Sequence, residues 1–235
     1  MCGRYAIAPT ARNAWASVGE AFGEHIEEEL RELKPRYNIA PATLVPVILH
    51  DPEIQGVRVA AARWGFIPHW WKERTPPRFS TINARAEEAG NKPMWRHAFA
   101  RQRCLIPATH WYEWMAGPDG KVPHVLTSPD GKGFCFAGLW SRWHPPGGED
   151  PIDTVAILTR DAPESIAEIH DRMPVVLHAG AWMAWLDPRM STTAVASEMI
   201  ATYSVGAART WEISRAVNSV RNDGPQLLVP SREDR

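Results

Sequence analysis

Apolar residues recur at helical spacing across residues 11–34, where Trp15, Val18, Phe22, Ile26 and Leu30 share a face, and this predicts an amphipathic helix. The run Glu27-Glu28-Glu29 falls on its solvated side, and Pro35 ends it. Residues 36–41 (RYNIAP) read as a turn into a buried strand over 44–49, and a second strand is predicted over 57–64. The stretch 65–78 contains Pro68, Pro76 and Pro77 and reads as a loop that carries Trp70 and Trp71 at least half exposed. A short strand over 79–82 and a short helix over 93–100 follow. Strands over 103–106, 109–114, 124–127 and 133–143 are separated by the turn signals Gly117-Pro118-Asp119-Gly120 and Pro129-Asp130-Gly131. Beyond a loop at 145–151 come a β-branched strand over 154–159, a helical turn over 163–169 and a strand over 174–177. Helices over 179–186 and 192–200, strands near 210–213 and 227–229, and a frayed tail from residue 230 complete the pattern. The sum is an α+β protein, one β-rich domain over residues 1–235 with an ordered core at about 2–229 and helices at its flanks.

Composition narrows the function. With 44% hydrophobic and 23% charged residues the chain is an ordinary globular protein, and no apolar run approaches the roughly 20 residues that cross a bilayer. The N-terminus lacks a basic segment followed by a long apolar one, so neither a secretory signal nor a membrane partner is expected. Cys2, Cys104 and Cys135 share no CxxC spacing, which argues against a thiolate metal site and a disulfide framework. Cys104 and Cys135 lie in apolar strand patterns and read as buried structural thiols. The expectation is a cytoplasmic protein with reduced thiols, no metal and no cofactor.

A net charge of −1 counts against nucleic-acid binding, but 21 of the 26 cations are Arg, whose planar fork pairs phosphate and stacks on bases. A GC-rich genome would produce the same bias. Eight of the twelve Trp fall between Trp64 and Trp143. Together these predict a surface of rings and guanidiniums, and DNA or RNA stays open as a partner.

The candidate chemistry begins at position 2. Removal of Met1 would leave Cys2 with a free α-amine and a thiol on adjacent carbons, with reference pKa values of about 8 and about 8.5. Such a 1,2-aminothiol condenses with an aldehyde to a Schiff base and then closes a thiazolidine; it can also act as an N-terminal nucleophile towards an amide. On its own, a second-position Cys is more often incidental. Gly3 gives it freedom and Arg4 can hold an anion. Asn83 and Arg85 share a side if the strand before them continues. Glu113 stands between Trp111 and Trp114, where burial would raise its pKa to suit a proton shuttle, although a strand carboxylate facing water is the commoner arrangement. His170 is a titratable imidazole two residues before Arg172.

Seven blocks now occur in order: MCGRYA (1–6), RYNIAP (36–41), RWGFIPHWW (63–71), INARAE (82–87), WYEW (111–114), IHDRMP (169–174) and ISRAVNSVRN (213–222). On these the chain strongly resembles the SOS-response-associated peptidase (SRAP) family, from Cys2 to about Val229. Members of that family link themselves covalently to abasic sites in single-stranded DNA. The resemblance implies a fold of curved antiparallel sheets or an open barrel with a positively charged DNA-binding cleft. It implies Cys2 as the nucleophile that forms the thiazolidine, Asn83 as a hydrogen-bonding residue of the crosslink pocket, Glu113 as the acid–base carboxylate and His170 as the imidazole that promotes ring opening. Arg85 and Arg172 match phosphate-binding arginines, Arg4 is a further candidate, and Trp70 and Trp71 match aromatic residues near the DNA path. Met173 stands where some relatives carry Arg. The expected partner is single-stranded DNA containing abasic sites, bound by a monomeric bacterial protein that is nucleoid-associated when it acts, with a Schiff-base intermediate that can support lyase chemistry. Two other readings stay open: a cysteine peptidase with Cys2 as nucleophile, and a non-covalent single-strand-binding module.

Overall fold

Gly23 interrupts the helix predicted over residues 11–34. In a computed structural model that describes residues 2–9, 13–77 and 80–231, α1 (Ala16–Phe22) and α2 (Glu24–Glu32) meet at Gly23, which takes φ +96° and donates its N–H to the Gly19 carbonyl. Glycine adopts that backbone without strain, so two short helices replace one long one. The predicted start at residues 11 and 12 lies outside the described residues, as do Met1, Phe79 and the tail beyond residue 231. Glu27 is not on the solvated side: it is buried, paired with Arg31, and turned against α1 where Gly19 has no side chain to obstruct it.

Among the described residues, twelve strands form two sheets. The first, of five strands, runs in the order β12 (Arg209–Glu212), β8 (Gly120–Thr127), β7 (His110–Gly117), β1 (Tyr5–Ile7), β2 (Arg36–Ile39). Strand β2 occupies residues predicted as a turn, because Tyr5 pairs with Ile39 and recruits the segment into the sheet. In the second sheet β3 (Leu44–Asp51), β4 (Gly56–Trp64), β6 (Arg103–Ala108), β9 (Phe134–Trp143) and β10 (Ile152–Asp161) close on one another, since β10 pairs with both β4 and β9. The short strands β5 (Asn83–Arg85) and β11 (Arg172–Pro174) add to the C-terminal half of β10. The α+β class with a ring of strands is as expected, although the pairings of β10 with β4 and β5 are parallel.

Other predicted boundaries shift. The strand predicted over 79–82 lies instead at Asn83–Arg85. The helix predicted over 93–100 is Arg96–Arg101. The strand over 174–177 becomes Arg172–Pro174, and residues near 227–229 form a 3-10 turn (Pro225–Leu228) instead of a strand.

Strand alternation gives the five-stranded sheet two apolar faces. Tyr5, Ile7, Trp111 and Leu126 join the large core shared with the ring, while Ala6, Tyr112 and Val125 meet Ile213, Val217 and Leu227 of the C-terminal segment. Seven of the twelve Trp are buried, which corrects the expected surface of rings. Backbone carbonyls accept from the indole N–H of Trp64, Trp143, Trp182 and Trp185, whereas the buried N–H groups of Trp15 and Trp111 meet no acceptor among the described residues. Cys104 and Cys135 are fully buried free thiols. Among the described residues, no helix is long and apolar enough to cross a membrane.

Candidate active site

Cys2 lies just ahead of β1, where its backbone meets β5 of the second sheet. Its side chain is fully buried, with Sγ 3.8 Å from the Arg4 carbonyl. Burial holds the thiol well above its ordinary pKa, and the nearby Glu113 charge raises it further. The Cys2 carbonyl accepts a 2.8 Å hydrogen bond from Asn83 Nδ2. Asn83 is placed there by the parallel pairing of β5 with β10, in which Asn83 lies opposite Ile157. Strand β5 puts Asn83 and Arg85 on the same side, with Ala84 buried between them.

Strand β7 turns Glu113 inward on the face it shares with Trp111, leaving it 1% exposed. The neighbouring rings explain its environment: Trp111 packs edge-on against Phe134 and Phe136, and Tyr5 against Trp64 and Phe136. Removal from water lifts the Glu113 pKa to about 7, and the Asp171 charge contributes in the same direction. A strand carboxylate facing water is therefore not what this chain builds.

His170 reaches the same place from the turn before β11. Its Nε2 stands 4.0 Å from Glu113 Oε2. Its Nδ1 accepts the Arg172 backbone N–H at 2.9 Å, and Asp171 Oδ1 lies at the same distance. Burial lowers the His170 pKa while Asp171 opposes that shift. The neutral ring thus keeps its proton on Nε2, facing Glu113, and the 87% exposed Asp171 carboxylate is poised to bond Nδ1 when the ring takes a second proton.

Gly3, Arg4, Glu113, Trp114, Lys121, His170 and Asn218 line an open cleft of about 490 Å³. Of the expected residues, Glu113 and His170 line it, while Cys2 is buried beside Glu113 and is bonded through its carbonyl to Asn83. Arg4 lines it but directs its guanidinium to Asn38 Oδ1 and to the Val217 and Asn218 carbonyls. Arg172 is a departure from expectation: its side chain is 9% exposed, its guanidinium pairs with Glu87 and Asp161, and it also donates to the Thr159 carbonyl. It braces the His170 turn from behind. Arg85 is exposed and only loosely paired with Glu88, at 3.7 Å. Trp70 is 43% exposed and Trp71 half-buried, their rings 6.1 Å apart, and neither lines the cleft.

Asn38, Trp114, Lys121, Asp171 and Asn218 were missed as site residues. Asn38, Trp114, Asp171 and Asn218 fall within the recognised blocks, yet only their contacts separate them from their neighbours; Lys121 stands at the start of β8, outside every block. Among the described residues, no three His, Cys, Asp or Glu side chains converge to hold a metal ion.

The family model described as SOS response associated peptidase (SRAP) matches residues 1–220. Abasic site processing protein YoqW of Bacillus subtilis (strain 168) is 33% identical over 231 residues, covering 97% of this chain and 99% of its own. Abasic site processing protein YedK of Escherichia coli (strain K12) is 33% identical over 236 residues, covering 98% and 100%. Abasic site processing protein HMCES of Gallus gallus is 33% identical over 263 residues, covering 98% of this chain and 78% of its own. A crystal structure of a Bacteroides thetaiotaomicron protein shares the fold, with a TM-score of 0.78 at 22% identity over 98% of this chain and all of its own. One from Bordetella bronchiseptica has a TM-score of 0.72 at 25% identity, covering 91% of this chain and 100% of its own.

Proposed function

The chain belongs to the SOS-response-associated peptidase family, and from that premise we propose that it processes abasic sites in DNA by bonding covalently to them through Cys2. The observation that carries this reading is the chain of contacts from Asn83 to Cys2, from Cys2 to Glu113 and from Glu113 to His170, four segments meeting beside the cleft that Glu113 and His170 line. The relatives' names supply the lesion, and the grouping supplies the chemistry.

An abasic deoxyribose is mostly a closed hemiacetal. Glu113 accepts the hydroxyl proton while His170 Nε2 delivers its own to the ring oxygen, and Glu113, 4.0 Å away, returns a proton to Nε2, so that opening is an isomerisation with no net proton change. With Met1 removed, the Cys2 amine adds to the open aldehyde, and the carbinolamine hydroxyl takes a proton from protonated Glu113 and leaves as water, giving an iminium. The Cys2 thiol then bonds to the iminium carbon and passes its proton to Glu113. One water is lost overall. Ring closure diverts the Schiff base from β-elimination, so strand cleavage becomes the slower branch. Asn83 holds the Cys2 carbonyl and so aims the amine and thiol at one carbon.

A thiol kept neutral by burial favours this order, amine first and thiol second, over a peptidase that attacks with a ready thiolate. The exposed Arg85 and the Trp70–Trp71 pair serve the DNA strand beyond the cleft, and single-strand preference follows where the rings occupy the place of a second strand. The setting is the bacterial cytoplasm, with the protein acting as a monomer.

The test is a denaturing gel of Met-processed protein with single-stranded DNA carrying one abasic site. A heat-stable shifted band that needs both Cys2 and the lesion is expected. No band, with Met1 confirmed absent by mass, overturns the covalent reading; cleavage of a peptide substrate by the same sample would point to the peptidase, and gel-shift without a covalent band to a simple binder.

A further inference from the structure

One cation in the cleft has no part in the Cys2 chemistry. Among the described residues that line it, Arg4 is bound to Asn38 and to backbone carbonyls, and burial disfavours a charge on His170. Lys121 remains. It lies on β8 opposite Ala116, is exposed, and takes part in none of the ion pairs among the described residues. Its charge reaches the reacting groups, since it lowers the pKa of both Glu113 and His170. The opposing charge in this region is Asp171, whose carboxylate turns to His170 Nδ1.

Asn218 supplies a second donor. Trp114 Nε1 donates to Asn218 Oδ1 at 2.8 Å. An indole N–H can only donate, so it fixes which end of the amide it meets. The Asn218 Nδ2 protons are left for another acceptor, and the Asn218 carbonyl is itself anchored by Arg4. A lysine ammonium and an amide NH₂ at one cleft are donors only, and a phosphodiester oxygen is an acceptor only.

We propose that Lys121 and the Asn218 amide form a phosphodiester-binding subsite that holds the backbone phosphate next to the abasic sugar. The assignment rests on the reading of Cys2 as the residue that meets the lesion. The subsite does for the substrate what Asn83 does for the nucleophile: it fixes the sugar between Cys2 and the Glu113–His170 pair. It also places the phosphate contact on a lysine, although arginines far outnumber lysines in the chain.

The test uses single-stranded DNA with a tetrahydrofuran residue in place of the lesion, which has no aldehyde and reports binding alone. Three versions carry a normal backbone, one methylphosphonate 5′ of the lesion, or one 3′ of it. Wild type should lose affinity about fivefold to tenfold with one of the two neutral linkages, the scale of a single charge-assisted contact. Lys121→Gln should lose the same amount on normal DNA and become indifferent to that linkage. Its plot of log affinity against log salt should be shallower by about 0.7, and Lys121→Arg should restore most of the affinity. Wild-type affinity in Lys121→Gln, or losses that add to those of both methylphosphonates, overturn the subsite. The aldehyde-bearing strand is run in parallel on a denaturing gel. Loss of the Cys2-dependent band in wild type sinks the covalent reading separately, because the tetrahydrofuran strand never engages the Cys2 chemistry.

Discussion

Glu113 sits in a sheet strand whose neighbours are rings, and a carboxylic acid there holds its proton until about pH 7. Because its folded pKa lies above its unfolded one, the stability it permits is complete below pH 4.5 and is lost as pH rises through 7. Glu113→Gln removes that loss. Its stability relative to wild type should therefore grow by about 3 kcal/mol between pH 4.5 and pH 8, read from urea midpoints at each pH. A flat difference would mean the carboxylate is solvated. The same variant should slow adduct formation by about a hundredfold, the scale of a lost acid–base catalyst, while binding to tetrahydrofuran DNA is unchanged. Asn83→Ala should also slow the adduct and spare that binding, since Asn83 bonds the Cys2 backbone carbonyl. Cys2, Asn83, Glu113 and His170 fall in the blocks MCGRYA, INARAE, WYEW and IHDRMP, so their candidacy is legible in the sequence. The direction in which Arg4 and Arg172 point was not legible, because an arginine's partners lie far away in sequence.

At the scale of elements, β10 organises the site. It receives β5 in parallel beside Asn83 and β11 antiparallel beside Arg172, so Asn83 and the His170 turn are both fixed to one strand. Arg172 ties the two additions together by pairing Glu87, just after β5, with Asp161 at the end of β10. Both carboxylates are substantially exposed, which discounts the ion pairs, so the buried bond to the Thr159 carbonyl and the side chain's packing dominate its contribution. Arg172→Met should cost about 2 kcal/mol of folding stability and leave the salt dependence of DNA binding as in wild type. A shallower salt dependence would restore Arg172 as a phosphate ligand. Such pairing was not legible beforehand. Periodicity located most strands, but the break at Gly23, the recruitment of β2 and the displacement of the predicted strand to Asn83–Arg85 depend on partners distant in the chain. The turn residues and β-branched runs act locally, which is why β3, β4, β7 and β9 were readable.

Across the whole molecule, the C-terminal segment finishes the cleft. It packs Ile213, Val217 and Leu227 onto the outer face of the five-stranded sheet and brings Asn218 to the site. Asn38 is its anchor, donating from Nδ2 to the carbonyls of Val217, Ser219 and Asn222 and accepting from Arg4. Asn38→Leu removes these bonds at a buried position and should destabilise the protein by about 2–3 kcal/mol. Limited proteolysis should then cut near residues 219–223, where wild type resists; equal resistance in both would mean the segment is held by its apolar contacts alone. The family fold and the order of its blocks could be read from the chain, whereas the docking of the last segment against the first strand emerges only from the assembled sheet.

The central claim is that Cys2 contributes both its nitrogen and its sulfur to one carbon of the lesion. The most direct measurement is intact mass of Met-processed protein after reaction with an abasic single strand, followed by unfolding and thiol alkylation. The account predicts a species heavier by the oligonucleotide less one water, stable without reduction, that takes up two alkyl groups on Cys104 and Cys135 out of the three cysteines. An adduct that takes up three, or that survives only after borohydride reduction, would show a Schiff base with a free thiol and contradict ring closure at Cys2.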